Sequence, residues 1–215
     1  AELPGLFLAN PSIAGLNVTT PYKESVIPYL NGLDVIAAEI GAVNCITIQN
    51  GWKKGYNTDA MAFERSLNSL LKPWHTHALI LGTGGSSKAV AYALTQLGIP
   101  YQKVSRYKKQ GCLSFRELTL EQLAFYKLII NTTPLGMYPN VDDASLLPYK
   151  ALTEQHLLYD LIYNPGETLF LTTGRAHGAA IKNGFEMLQL QAEASWDIWS
   201  RAGNSEVEEE SGIFI

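Results

Sequence analysis

Apolar and polar positions along the chain change their rhythm near residue 77. Beyond it, HALILGTGGSSKAVAYALTQLG reads as an apolar strand, a glycine-rich turn, a helix and a terminating Gly98. YQKVSR is the next strand, YKLIINTTPLGM another with its loop, and LLYDLIYNP a further buried one. Strands alternating with helices predict an α/β fold with a doubly wound parallel sheet.

Before residue 77 the pattern differs. Val43, Cys45 and alternating apolar positions up to Ile48 lead into Asn50-Gly51, the strongest short hairpin signal. Reflection about that turn sets Asn44 opposite Asn57, so Asn44 and Asp59 reach the same end of one hairpin. Ala60, Phe63, Leu67 and Leu70 follow at helical spacing, and that helix stops before Pro73. An opening helix over roughly 21–31 is predicted with Thr20 as its cap and Pro21 at its first position. The last helix, about 184–200, shows an apolar face of Met187, Leu188, Ala194 and Ile198 with Gln191 in its middle. The closing EVEEESGIFI is acidic and patternless and predicts a mobile tail.

Composition narrows the partners. The 215 residues are 47% hydrophobic and 17% charged with net charge −4, and no basic run appears, which argues against nucleic acid or an anionic membrane. No apolar run approaches the roughly 18 residues a membrane span needs. Cys45 and Cys112 lie far apart and outside any C-x-x-C pattern, so neither a disulfide nor a metal site is expected, and a reducing compartment fits. The chain opens AELPGLFLANPS, without an initiator Met or a signal-peptide pattern, and reads as entered partway through a domain.

Two constellations carry candidate chemistry. Gly82-Thr83-Gly84-Gly85-Ser86-Ser87 sits between a strand and a helix, where glycines let the backbone approach a pyrophosphate at the helix N-terminus. The spacing is G-x-G-G, which a purely structural tight turn also satisfies. The next strand ends in Ser105-Arg106, with Lys108 and Lys109 beyond, where an NAD site usually places an acidic residue. A basic residue there suits the 2′-phosphate of NADP, against the alternative of a solvated surface charge.

The second constellation is Lys23, Asn44 and Asp59. A cation in the first turn of the predicted opening helix is unfavourable by roughly 0.3–1 kcal/mol. Lys23 makes sense there if it faces Asp59, an arrangement suited to a general acid or base. Taken singly, Lys23 as a solvated lysine, Asn44 as a strand-end residue and Asp59 as a helix cap are the simpler alternatives. Gln191 adds a third clue, because an amide inside an apolar face needs partners, from the core or from a ligand.

The stretches NVTTPYKE, GAVN, NTD, LGTGGSSKA, SR, INTTPLGM, YDLIYNP and NGFEMLQLQA, in this order over residues 15–200, resemble the shikimate dehydrogenase family. The resemblance implies NADPH-dependent, reversible reduction of 3-dehydroshikimate to shikimate in aromatic amino acid biosynthesis, in the cytoplasm, with a homodimer among the assemblies it allows. It implies a small α/β substrate domain over 1–74, N-terminally incomplete, and a Rossmann-like NADP domain over 75–182. The helix 183–200 would pack back on the substrate domain, and 201–215 would form an acidic tail. Carried over by residue, Lys23 and Asp59 match the catalytic pair, and Thr19, Asn44, Tyr163 and Gln191 match substrate-binding residues. Gly82, Thr83, Gly84, Gly85, Ser86, Ser105, Arg106, Leu161 and Gly184 match positions around NADP.

Two departures bear on this. The family's substrate domain begins upstream with a strand and a loop bearing two carboxylate-binding serines, which this chain is expected to lack. The family's N-R-T appears as Ser105-Arg106-Tyr107. An NAD-using quinate/shikimate dehydrogenase, or a non-catalytic NADP-binding sensor or fragment, therefore remain as alternatives.

Overall fold

Two sheets organise the chain in the computed structural model, which describes residues 3–204 and 213–214. Helix α1 (Leu3–Ala9) leads to strand β1 (Gly15–Asn17), β2 (Gly32–Leu33), helix α2 (Val35–Ile40), β3 (Cys45–Gln49), β4 (Trp52–Tyr56) and α3 (Asp59–Asn68). The chain continues through β5 (Ala78–Leu81), α4 (Gly85–Gln96), β6 (Tyr101–Ser105), β7 (Cys112–Ser114), α5 (Leu120–Phe125) and β8 (Leu128–Asn131). It ends with β9 (Leu157–Asp160), α6 (Leu169–Ala176), β10 (Ala180–Lys182), α7 (Phe185–Asn204) and β11 (Ile213–Phe214).

The first sheet is mixed, in the order β1-β3-β4-β2-β11. Its centre is the β3–β4 hairpin. Asn50 and Gly51 both have positive φ (49° and 80°), as a two-residue hairpin turn favours. The register runs from Gln49↔Trp52 to Cys45↔Tyr56, so Asn44 and Asn57 leave the hairpin opposite each other, as the sequence predicts. Leu30, Leu33, Ala37, Val43 and Ile46 form the small core beneath it.

The second sheet is wholly parallel, in the order β10-β9-β8-β5-β6-β7. The chain moves outward from β5 through β6 and β7, then returns to the other side of β5 with β8. This reversal opens a crevice at the carboxyl ends of β5 and β8, the usual ligand position in such sheets. Successive residues of each strand serve opposite faces. Ala78 and Ile80 join Phe63 and Leu67 of α3, Val90 and Leu94 of α4 and Met187 of α7 on one side. Leu79 and Leu81 join Leu123 of α5 and Phe170 and Leu171 of α6 on the other. Burial on both faces explains why these strands read as continuous apolar runs.

The predicted opening helix over 21–31 does not form, and only Ile27–Tyr29 makes a short 3-10 turn. Pro28 lacks the N–H that would bond back one turn, and Pro21 closes the other end. The stretch between them is too short to hold a helix alone. Lys23 therefore has no helix of its own. Helix α2, which the sequence reading passes over, is capped by Asp34, whose side chain accepts from Ala37 N at 2.9 Å, and ends at Gly41. Helix α7 runs on to Asn204, beyond the expected end at 200. Most of the acidic stretch expected as a tail, 205–212, lies outside the described residues, while Ile213–Phe214 pairs with β2. Among the described residues no helix is long and apolar enough to cross a membrane.

Candidate active site

Three backbone junctions gather the polar residues of the first sheet. Lys23 O accepts from Val43 N at 2.8 Å, Val18 N donates to Asn44 O at 2.8 Å, and Asn44 N donates to Tyr56 O at 3.0 Å. Asn44 thus precedes β3 while Asp59 opens α3, and the hairpin register brings them side by side. Lys23 Nζ lies 2.6 Å from Asp59 Oδ2, and Asn44 Nδ2 donates to Asp59 Oδ1 at 3.1 Å. Both ionic side chains are largely shielded, at 13% and 6% exposure, so solvent screens the pair little.

Asn44 also reads its surroundings from both ends of its amide. Its Oδ1 accepts from Thr58 N at 2.7 Å, and its Nδ2 lies within reach of Thr58 Oγ1 (2.8 Å) and Gln191 Oε1 (3.3 Å). This answers the oddity of Gln191. Its Nε2 donates to Leu188 O at 3.0 Å, and its main-chain carbonyl accepts from the Thr58 and Ser195 hydroxyls at 3.1 and 2.8 Å. Helix α7 thereby returns across the chain to the end of the hairpin.

Lys23 also borders the crevice of the parallel sheet. A cavity of about 380 Å³ is lined there by Lys23, Gly82 to Ser86, Ser105, Arg106 and the Thr132–Leu135 loop. Gly82 has φ +117°, and a Cβ on it would stand 2.5 Å from Thr132 Oγ1, so the turn requires glycine. Ser87 Oγ closes the turn onto Gly82 O at 2.9 Å. Gly84 caps α4 without a side chain, and a Cβ there would meet nothing within 4 Å. Gly84, Gly85 and Ser86 line the cavity, so the N-terminus of α4 borders it, as a pyrophosphate cradle needs. Arg106, exposed just after β6, borders the same cavity. These residues fit an NADP-type dinucleotide.

The other sequence-predicted residues do not line that cavity. Thr19 is exposed, its carbonyl accepting from Tyr22 N at 2.9 Å. Leu161 N donates to Asn131 O at 3.0 Å and Gly184 N to Ile162 O at 3.0 Å, so both flank the loop after β9. Tyr163, half exposed, lies on that loop.

One cluster escapes the sequence reading. Asp160, fully buried at the end of β9, accepts from Asn131 Nδ2 (3.0 Å), Ile162 N (3.1 Å) and Thr168 Oγ1 (2.6 Å). Burial pushes its carboxyl up to about 6, against the pull of those three hydrogen bonds. Asn131 Oδ1 in turn accepts from Thr133 N and Oγ1, so the cluster fixes the loops after both β8 and β9. Among the described residues no group of His, Cys, Asp and Glu is placed to hold a metal.

The family model described as "Shikimate dehydrogenase substrate binding domain" matches residues 6–46. The shikimate dehydrogenase (NADP(+)) of Desulforamulus reducens is 34% identical over 216 residues, covering 91% of this chain and 74% of that protein. The chain belongs to the shikimate dehydrogenase family. The crystal structure of the Aquifex aeolicus shikimate dehydrogenase superposes with a TM-score of 0.82 at 34% identity, covering 96% of this chain and 79% of that one. The Thermus thermophilus enzyme, solved with NADP(H) and shikimate, gives 0.80 at 30% identity, covering 93% and 78%. The family match at 6–46 takes in Lys23 and Asn44, whereas Asp59, the glycine turn and Gln191 lie beyond it.

Proposed function

We propose that the protein catalyses the reversible, NADPH-dependent reduction of 3-dehydroshikimate to shikimate. The observation that carries the reading is Lys23: held by Asp59 at 2.6 Å, it also borders the cavity that the glycine turn and Arg106 line. A proton donor and a cofactor cradle thus share one wall. In this reading residues 1–74 bind substrate, 75–182 bind NADP, and 183–200 return Gln191 to the substrate side.

The nicotinamide, when bound, supplies the hydride to the carbonyl carbon. Lys23 gives an ammonium proton to the carbonyl oxygen as its π electrons move there, leaving a neutral amine that solvent reprotonates. Asp59 holds the ammonium in place and balances its charge. Asn44 and Gln191 offer amide groups to the substrate hydroxyls, with Thr19 and Tyr163 at the rim. The α4 N-terminus takes the pyrophosphate, and Arg106 takes the 2′-phosphate.

The test is direct. The chain, mixed with shikimate and NADP+, should raise absorbance at the NADPH band, and the signal should reverse on adding 3-dehydroshikimate. Binding of NADP+ without turnover of shikimate would instead identify a dinucleotide-binding protein without this activity.

A further inference from the structure

A lysine ammonium has three protons to donate. In this protein one meets Asp59 Oδ2 at 2.6 Å and a second meets Ser86 Oγ at 3.3 Å. Ser86 stands in the first turn of α4, on the wall of the dinucleotide cavity. We propose that Ser86 is a positioning residue for Lys23: its hydroxyl accepts the second ammonium proton and leaves the third directed into the cavity. The proposal rests on the reading of Lys23 as the proton donor.

The neighbouring contacts keep this geometry in place. A Cβ on Gly85 would lie 2.9 Å from Lys23 Cβ, so only a glycine lets α4 approach the lysine so closely. At the end of the same turn, Lys88 Nζ pairs with Glu24 Oε2 at 2.6 Å and reaches Gly41 O at 3.4 Å. The first turn of α4 is therefore tied to Lys23, to the residue after it and to the end of α2. Without the Ser86 acceptor the ammonium would keep a single anchor, Asp59, and would swing about it.

Ser86 also has a proton of its own. With its oxygen engaged by Lys23, that proton is free to point at an anion lying against the α4 N-terminus. A hydroxyl that donates to a phosphate becomes a better acceptor. The same side chain then tightens its hold on Lys23 when the cofactor is seated, linking cofactor binding to proton delivery.

Ser86→Ala, Ser86→Thr, Lys23→Ala and the Lys23→Ala/Ser86→Ala double variant test this, with folding checked by thermal melting. In shikimate oxidation, Ser86→Ala should lower kcat roughly tenfold, the effect of one hydrogen bond to a charged group, while KM for NADP+ moves less than about threefold. Ser86→Thr, which keeps the hydroxyl, should restore most of the loss. In the Lys23→Ala background the Ser86 change should add nothing. A rise in KM for NADP+ with kcat unchanged overturns the proposal and leaves Ser86 a cofactor contact only. So does a full Ser86 effect that persists without Lys23. Near-normal kcat in Lys23→Ala defeats the proton-donor reading itself, and is distinct from a silent Ser86→Ala beside an inactive Lys23→Ala.

Discussion

Lys23 and Asp59 meet at 2.6 Å, and Asp59 is reached from both sheets, by Asn44 of the first and by a helix packed on the second. Lys23 hangs on the first sheet through Val43 N. Asp59 opens α3, whose Ala62, Phe63 and Leu67 sit in the core of the second. The pair is one of the contacts, with Lys23–Ser86 and Lys88–Glu24, through which the two halves of the molecule share a geometry.

If Lys23 delivers the proton, Lys23→Ala should lower kcat by roughly 10²–10⁴-fold, with a much smaller change in the KM for shikimate. Asp59→Asn keeps the shape and removes the charge, and should also cost turnover. The double variant should lose less than the two singles combined, because the residues act as a unit. Steady-state assays of the four proteins decide it. Independent, small losses would mean a solvated lysine and a helix-end aspartate.

Cofactor choice should rest on Arg106. Arg106→Ala should raise the KM for NADP+ strongly and leave that for NAD+ nearly unchanged, since only NADP+ carries the 2′-phosphate. Equal losses with both dinucleotides would make Arg106 a structural residue.

Asp160 should make stability depend on pH in an unusual direction. Its folded-state value, about 6, lies above the ordinary 3.8, so the folded protein binds more protons between those values. Its contribution therefore weakens as pH rises from about 4 to 6 and stays low above that, by on the order of 2–3 kcal/mol. Asp160→Asn keeps an acceptor for Asn131 and Ile162 without the charge. Urea midpoints at pH 4 and pH 8 should shift in favour of the variant at the higher pH. An unchanged difference between the two pH values would contradict this.

Two histidines pull the other way. His156 Nδ1 accepts from Thr153 N at 2.9 Å, and its Nε2 donates to Leu123 O at 3.2 Å. His75 is bound alike, between Lys72 N and Gln155 O. Burial lowers both below 6.5, aided by the charges of Lys127 and Lys72. Each added proton would also face an N–H. Their stabilisation is full above pH 6.5 and is lost as pH falls toward their folded values. His156→Asn should flatten the acid limb of the urea midpoint, and an unaltered limb would exclude His156 as its source.

The parts legible in the sequence are those fixed by local chemistry. Asn50-Gly51 announces a turn, and the turn alone fixes which residues face each other, so Asn44 and Asp59 can be paired on paper. Gln191 is conspicuous as an amide in an apolar stripe, though its partners Thr58 and Asn44 cannot be named from it. The helix over 21–31 fails because the cap signal at Thr20-Pro21 carries no weight against Pro28. Asp160, Asn131 and Thr168 give no warning. Asn131 is 29 residues from Asp160, and each of the three is ordinary where it stands, two at strand ends and one at a helix cap.

Tyr159 and Asp160 are adjacent on β9 but face different tasks. Tyr159 packs edge-on against Phe63, with ring centres 5.0 Å apart, and meets Ser66 Oγ at 2.6 Å, which seats α3 and so Asp59. Asp160, through Asn131, seats the loop after β8 that lines the dinucleotide cavity. One strand end is thus the common datum for both halves of the chemistry, and its tolerance is less than a residue. An inserted or deleted residue in β9 would turn the carboxylate under α3 and the phenol toward the loops, misaligning both at once.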